Sequence, residues 1–422
     1  MRRLLNVNTY HYRRGGADAV YFDHGAMFAA SGWHCGWFAM HHPRNEQTPW
    51  SRFFVDEIEL GHDYPLTRKL AIAKQVIHSR SHARAINRLL DEFPADIAHV
   101  HNIRHHIGAN ILAEFQRRGT RVVLTVHDLK LLCPAYRMHD GNGICESCRP
   151  NAVHNCAMKR CMHGSLALSG LIALESAIHR WTGAYRRHVD RIVCPSRFYL
   201  DQHVAWGWPR EQLAYIPNSV SLPALTDIPP VGEYACYFGR LSFEKGVSTL
   251  IRAAARAGIA LHLVGEGPEE DRLRALAADV GATVTFHGHC SGEALSRIIR
   301  HARVCVLPSE WYENAPKSVL EAFAHGKVVI GARIGGITEL IDEGETGWLF
   351  PSGDVDALAA TLRHAWAIDP SVLRDMGARA AALVQRRFST DRYFNAMNEL
   401  YDEIRGDSTT VSKSRQIRQL RN

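Results

Sequence analysis

The chain has 422 residues, 46% of them hydrophobic and 22% charged, and a formal net charge of +7. That length and apolar content suit two cores of ordinary domain size, which excludes a low-complexity or disordered chain. No apolar run reaches the roughly 20 residues that cross a bilayer, and Asn6, Asn8 and His11 interrupt any leader-like core after Met1, so a cytoplasmic protein is expected. The charge is uneven. Residues 1–211 hold 27 Lys/Arg against 18 Asp/Glu, whereas residues 212–422 hold 23 against 25. A basic amino-terminal half suits peripheral contact with an anionic membrane face or a phosphate-bearing acceptor, as it also suits a plain solvated surface. No basic helix or interleaved aromatic–basic motif supports nucleic-acid binding.

In chain order, Leu4-Leu5-Asn6-Val7-Asn8 reads as a first strand, and Arg13-Arg14-Gly15-Gly16-Ala17-Asp18 then opens a helix. Paired glycines there permit close backbone approach and positive φ. The strand Asp96-Ile97-Ala98 runs into His99-Val100-His101-Asn102, followed by His105-His106. Alternation puts His99 and His101 on one face. No acidic ligand accompanies them at metal-binding spacing, so His101 and Asn102 are read as polar groups at a cleft edge, facing an acceptor. Val122-Val123-Leu124-Thr125-Val126 is a β-branched run expected to be buried on both faces, with His127 and Asp128 at its carboxyl end.

Four cysteines follow in a polar loop within residues 133–163: Cys145, Cys148, Cys156 and Cys161. Their short spacing suggests a structural zinc site, with His154 and His163 as alternative ligands and free thiols as the other outcome. Cys133, Cys194, Cys236 and Cys305 lie in apolar contexts and read as small buried hydrophobes. An amino-terminal domain over 1–215 then gives way to a linker over 216–231, stiffened by Pro223, Pro229 and Pro230. Residues 232–390 carry strands at Ala235–Phe238, Leu261–Val264, Val284–Phe286, Val304–Leu307 and Val328–Ile330, alternating with helices. That alternation implies a doubly wound parallel sheet. An amphipathic helix is expected over 391–406 and a disordered basic tail over 407–422.

Two of these strands deliver motifs. Ala235–Phe238 runs into Gly239-Arg240-Leu241-Ser242-Phe243-Glu244-Lys245-Gly246, where two cations on a glycine-flanked loop suit a diphosphate. Val304–Leu307 runs into Pro308-Ser309-Glu310-Trp311-Tyr312-Glu313, with Glu321 further on. Between the two carboxylates a helix is expected to start, with Asn314 or Ala315 as its cap and Pro316 in its first turn. That start would place Glu321 about two turns inside, and Gly326 ends the helix. The free N–H groups of its start suit a phosphate, and the carboxylates suit sugar hydroxyls. Such loops at the carboxyl ends of strands are where α/β sheets bind ligands, so the pattern describes a pocket for a nucleotide-sugar.

On these motifs the chain resembles the retaining glycosyltransferases of family 4. The G-R-L-x-x-x-K-G loop, Val264-Gly265-Glu266-Gly267-Pro268, the E-x7-E pair, Gly335-Gly336-Ile337-Thr338-Glu339-Leu340 and Gly344-Glu345-Thr346-Gly347-Trp348-Leu349 occur in family order. The resemblance implies a GT-B fold: α/β, two Rossmann-like domains facing a cleft, with the terminal helix crossing back to the first domain. It implies that Arg240 and Lys245, with Gly239 and Gly265, hold the diphosphate of a UDP- or GDP-sugar. It assigns Gly15 and Gly16 to the opposite side of that diphosphate, and the Asn314-Ala315-Pro316-Lys317 turn to the donor. Glu313 and His127 are assigned to the transferred sugar, and Glu321 to the ribose. No catalytic metal is expected, because the cations neutralise the diphosphate. The acceptor would be a hydroxyl of a glycan, a lipid-linked or another molecule, used in polysaccharide or glycoconjugate synthesis at the inner membrane face. The alternative is a non-catalytic nucleotide-sugar-binding partner of the same fold. Rival enzymes within the same fold are a phosphorylase or an epimerase of the nucleotide-sugar, and no lysine is evidently placed for pyridoxal phosphate. One departure stands out: Glu313-Asn314-Ala315-Pro316 replaces the frequent E-G-F-G or E-P-F-G. Only backbone amides are needed there, so altered sugar preference is expected. Because Arg240 and Lys245 lie on a loop, their loss should spare folding.

Overall fold

The computed structural model describes residues 2–59, 65–221 and 231–406. Most of the proline-marked linker and the residues from 407 onward lie outside the described residues. Two six-stranded sheets, parallel throughout, organise the chain. In the first, β1 (Arg3–Val7), β2 (His34–Phe38), β3 (Ile97–Val100), β4 (Arg121–Thr125), β5 (Arg191–Cys194) and β6 (Leu213–Tyr215) take the order β2-β1-β3-β4-β5-β6. In the second, β7 (Tyr234–Phe238), β8 (Ala260–Val264), β9 (Val284–Phe286), β10 (Val304–Leu307), β11 (Val329–Ala332) and β12 (Gly347–Phe350) take the order β12-β11-β10-β7-β8-β9. The strands anticipated from buried apolar runs are present within a residue or two. By contrast β2, β5, β6 and β12 had no such signal, since His34-Cys35-Gly36-Trp37-Phe38 and Gly347-Trp348-Leu349-Phe350 are short and start on polar or small residues.

In each sheet the connection direction reverses once, between β1 and β3 and between β7 and β10. Strands either side of a reversal send their following loops apart and open a crevice at their carboxyl ends. The Arg240–Lys245 loop follows β7 and the Glu313 segment follows β10, so both edge one crevice. The β7 loop depends on Gly265, which has φ +126. A Cβ there would meet the Gly239 carbonyl oxygen at 2.0 Å, so only glycine lets the loops after β7 and β8 touch.

The helix Thr390–Arg405 packs against the first sheet. Tyr393, Met397, Leu400 and Tyr401 share a core with Leu4, Phe28, Ile97, Val123 and Val193. A chain that has built the second sheet thereby closes the back of the first, which fixes the two domains through apolar burial as well as through the cleft. Met397→Ala, at a fully buried position, should destabilise the protein by about 2–5 kcal/mol. Urea unfolding followed by circular dichroism measures this, and a loss well under 1 kcal/mol would show that the helix does not dock.

Candidate active site

Lys245 and Glu313, far apart in sequence, meet across the crevice. The Lys245 ammonium donates to Glu313 Oε1 at 2.6 Å, and Ser309 Oγ donates to the same oxygen at 2.6 Å. Glu313 is 5% exposed. Burial alone would raise its carboxyl, but the adjacent Lys245 and the bonds from Lys245 and Ser309 hold it below the usual range. The Trp311 ring lies 5.1 Å from Lys245 Nζ and screens it from water on one side. Arg240 has a carboxylate of its own. Its guanidinium donates to Glu244 Oε1 at 2.8 Å while staying largely exposed, and Ser242 Oγ donates to that oxygen at 2.8 Å. Glu244 is buried beneath the loop. The loop therefore presents two cations aimed by two fixed anions. Glu244 sits inside the motif, yet only the structure shows it as the strut for Arg240.

The helix after Glu313 runs Lys317–Ala324. Its cap position falls on Pro316, which takes an extended ψ of 117, so neither Asn314 nor Ala315 caps it and Glu321 lies little more than one turn inside. Asn314 is occupied elsewhere. Its side chain donates to the Val126 carbonyl at 2.8 Å and accepts from Ser196 Oγ at 2.9 Å, tying the second domain to the residue before His127. The expectation that only backbone amides matter at this position is thus corrected. The Gly335-Gly336 pair packs on this segment: Gly336 N–H bonds the Glu313 carbonyl at 2.8 Å, and a Cβ on Gly336 would meet the Asn314 carbonyl at 1.8 Å. Three residues on, Glu339 accepts the N–H groups of Arg197 (2.9 Å) and Phe198 (2.5 Å), capping the helix Arg197–Ala205 from the other domain. Lys317 reaches Asp23 of the first helix at 2.9 Å. Glu321, half-buried beside this pair, has its carboxyl raised by burial, with Lys317 opposing and Asp23 adding.

On the first domain, Gly15 and Gly16 open the helix Gly16–Ala30, and a Cβ on either would meet nothing within 4 Å. Gly15 has φ 180, so the anticipated positive φ is absent and the pair simply leaves space facing the crevice. The preceding turn is fastened by Asp18, which accepts from Asn8 at 2.9 Å and from the Arg14 guanidinium at 3.0 Å. His127 stands half-buried at the end of β4, and burial pulls its imidazole down to about 4, so it is neutral near pH 7. Its Nε2 lies 2.9 Å from His101 Nδ1. His101 stacks on His99 at 4.5 Å, and His99 Nδ1 lies 3.2 Å from His24, which bonds Tyr393 and Tyr401 of the terminal helix. His101 and Asn102 are buried rather than cleft-edge groups. A row of four histidines thus runs from the crevice to the terminal helix.

The zinc expectation finds no support. Among the described residues no group of three or more His, Cys, Asp or Glu could hold a metal ion. Cys148 and Cys156 sink into the hydrophobic core with Cys133, Cys161 is hydrogen-bonded to Cys156, and Cys145 Sγ donates to Ser147 Oγ at 3.4 Å and accepts from Lys159 Nζ at 3.3 Å. Burial pushes the Cys148 thiol up to about 12. The loop is pinned by an apolar floor, and it touches the other domain where Tyr312 donates to Glu146 at 3.2 Å and the His139 ring meets Phe243. Cys194, Cys236 and Cys305 are buried as anticipated.

Comparison with known proteins now fits this geometry. Residues 14–222 match the family described as Glycosyltransferase Family 4, and residues 226–382 match Glycosyl transferases group 1. The chain belongs to glycosyltransferase family 4. Among curated relatives, a GDP-mannose-dependent alpha-mannosyltransferase of Corynebacterium glutamicum is 31% identical over 222 residues, 50% of this chain and 52% of that protein. The lipopolysaccharide core biosynthesis glycosyltransferase LpsE of Rhizobium meliloti is 29% identical over 51% of this chain and 65% of that protein. The chain thus spans about half to two-thirds of these relatives' length. Sucrose-phosphate synthase from Thermosynechococcus elongatus superimposes with TM-score 0.72 at 21% identity over 97% of this chain and all of that one. HepE of Anabaena, in complex with UDP, gives 0.66 at 17% over 96% and 100%. The fold is GT-B.

The buried ion pair yields a pH-dependent expectation. Because the Glu313 carboxyl is held below its unfolded value, its contribution to stability is present above the usual carboxylate range and is lost as pH falls through the folded value. Removing Lys245 leaves a buried unpaired carboxylate, so Lys245→Met should cost about 3–5 kcal/mol near pH 7. The buried pair thus gives the loop cation an expected part in stability that its loop position did not suggest. The gap between mutant and wild type should narrow on acidification toward pH 4, as Glu313 protonates in the mutant. Denaturant midpoints at pH 7 and pH 4.5 check it; a gap that stays constant contradicts the pairing.

Proposed function

We propose that the protein is a retaining, metal-independent glycosyltransferase that moves a sugar from a UDP- or GDP-sugar to an acceptor hydroxyl. The observation that carries this reading is the pairing of each loop cation with a fixed carboxylate at the crevice, Arg240 with Glu244 and Lys245 with Glu313. Cations held in advance cost no reorganisation when negative charge grows on a departing diphosphate. The open space beside Gly15 and Gly16 gives that diphosphate a place on the facing domain. The free N–H groups at the start of the Lys317–Ala324 helix favour an anion there as well. The relative named GDP-mannose-dependent and the UDP complex of HepE support these two nucleotides.

In this mechanism Arg240 and Lys245 stabilise the leaving diphosphate, and the sugar passes through an oxocarbenium-like state. The acceptor hydroxyl attacks the face that the diphosphate vacates and gives its proton to the leaving phosphate. Configuration is thereby retained without the two flanking carboxylates of glycosidases. Glu313 orients the transferred sugar and Glu321 the ribose. Neutral His127 offers one ring nitrogen to the sugar while His101 holds the other. The acceptor is a glycan, lipid-linked or similar hydroxyl compound of cell-surface polysaccharide or glycoconjugate synthesis.

Arg240→Ala should lower kcat about 100- to 1000-fold with folding intact, since Arg240 is exposed and Glu244 keeps its bond to Ser242. Calorimetric titration separates the glutamates. Glu321→Gln should weaken free UDP or GDP and intact donor alike, whereas Glu313→Gln, which also loosens Lys245, should weaken the sugar-bearing donor more than the free diphosphate. Equal damage to free diphosphate by both substitutions contradicts this division of roles. Tight diphosphate binding without transfer, across a screen of UDP- and GDP-sugars, would leave a binding protein instead.

A further inference from the structure

The helix Leu166–Thr182 carries a second feature, on the side away from its packed face. Its buried side, Ile172, Ala173, Ser176 and His179, joins the first domain. Its outer side holds Leu166 (54% exposed), Leu174 (51%) and Trp181 (85%), with Gly170 and Ala177 between them. Residues recurring every three to four positions form one stripe along a helix. Two neighbouring helices carry further exposed apolar side chains. Leu70 of Leu66–Ile77 is 63% exposed and Met158 of His154–Met158 is 74% exposed, and both helices pack against Leu166–Thr182. A soluble surface rarely leaves so many large apolar side chains together without a partner.

Charge says what the partner is. Residues 65–90 contain no Asp or Glu, and residues 157–189 contain only Glu175, which is fully buried. The exposed cations Arg68, Lys69, Lys74, Arg160, Arg186 and Arg187 come from these same stretches. An apolar helix face with an exposed tryptophan, in stretches that carry exposed cations and no exposed carboxylate of their own, matches a helix lying in the interface of an anionic bilayer. No helix among the described residues is long and apolar enough to cross a membrane, so contact would be peripheral. The helix is also tied to the crevice. Its Glu175 accepts from Lys130 at 2.9 Å, and Lys130 follows His127 by three residues.

We infer that the outer face of the Leu166–Thr182 helix, with the adjoining Leu66–Ile77 helix, docks the protein on an anionic lipid surface. The inference locates on named residues the membrane contact that charge alone suggested, and it does not depend on the donor assignment.

Co-sedimentation of the full chain with vesicles tests it, using phosphatidylcholine alone and phosphatidylcholine with about one-third phosphatidylglycerol. Wild type should sediment with the anionic vesicles, stay in solution with the neutral ones, and be released by raised salt. Leu174→Ser with Trp181→Ser should lower the partition coefficient at least about tenfold. Arg186→Gln and Arg187→Gln should each lower it roughly fivefold. All four positions are surface positions, and unchanged melting and unchanged UDP binding confirm intact folding and an intact donor pocket. Equal binding to both vesicle types, or no effect of the serine pair, overturns the proposal. So does a dimer in sedimentation velocity that the serine pair abolishes, because it would give the face to a second copy of the chain.

Discussion

The ion pair between Lys245 and Glu313 is the constraint around which the second domain's crevice is arranged. A carboxylate this buried is tolerated only when its charge is answered at hydrogen-bond distance, and Lys245 with Ser309 supplies that answer. The requirement fixes the loop after β7 against the segment after β10, and so fixes the reversal point of the sheet as a place of concentrated charge. Glu244 repeats the arrangement for Arg240 on a smaller scale. A loop that held its cations only by backbone geometry would let them wander. Buried anions hold them on target and leave the Arg240 guanidinium in water, available to a ligand.

The same segment also joins the domains. Asn314 bonds Val126 and Ser196, Glu339 caps a helix of the first domain, and Lys317 meets Asp23. These are polar contacts near the crevice, of the kind that separate and re-form as domains move. At the far side the contact is apolar: Tyr393, Met397 and Tyr401 share the core of the first sheet. A polar front and a greasy back describe a joint that can open at the crevice while the terminal helix keeps its place. The histidines from His127 through His101 and His99 to His24 bridge the two sides. Burial keeps His101, His99 and His24 neutral by pulling their pKa values well below the ordinary value, so the row is held by tautomer-matched hydrogen bonds and stacking, not by charge.

Much of this was legible in sequence where one physical signal dominated. Short β-branched runs such as Val304–Leu307 announce buried parallel strands, and Gly239 to Gly246 announces a glycine-flanked loop that carries two cations. Four things were not legible, each for a reason. Glu244 reads as a surface charge until the fold buries it. Asn314 reads as a helix cap because its true partners, Val126 and Ser196, come from another domain. The cysteine spacing suggests a metal cage, yet Cys148 and Cys156 belong to the apolar core with Cys133, and Cys145 bonds Ser147 and Lys159. Pro316 misled by one residue, since a proline suits the cap position as well as the first turn.

The account turns on Lys245 serving two anions, Glu313 at rest and a donor phosphate when loaded. A crystal structure of the protein with UDP or GDP bound tests this most directly. The account predicts the terminal phosphate between the Arg240 guanidinium and the Lys245 ammonium, near the start of the Lys317–Ala324 helix, with Lys245 Nζ within hydrogen-bond distance of a phosphate oxygen. A diphosphate bound elsewhere, or in the crevice with Lys245 bonded to Glu313 alone, would contradict it.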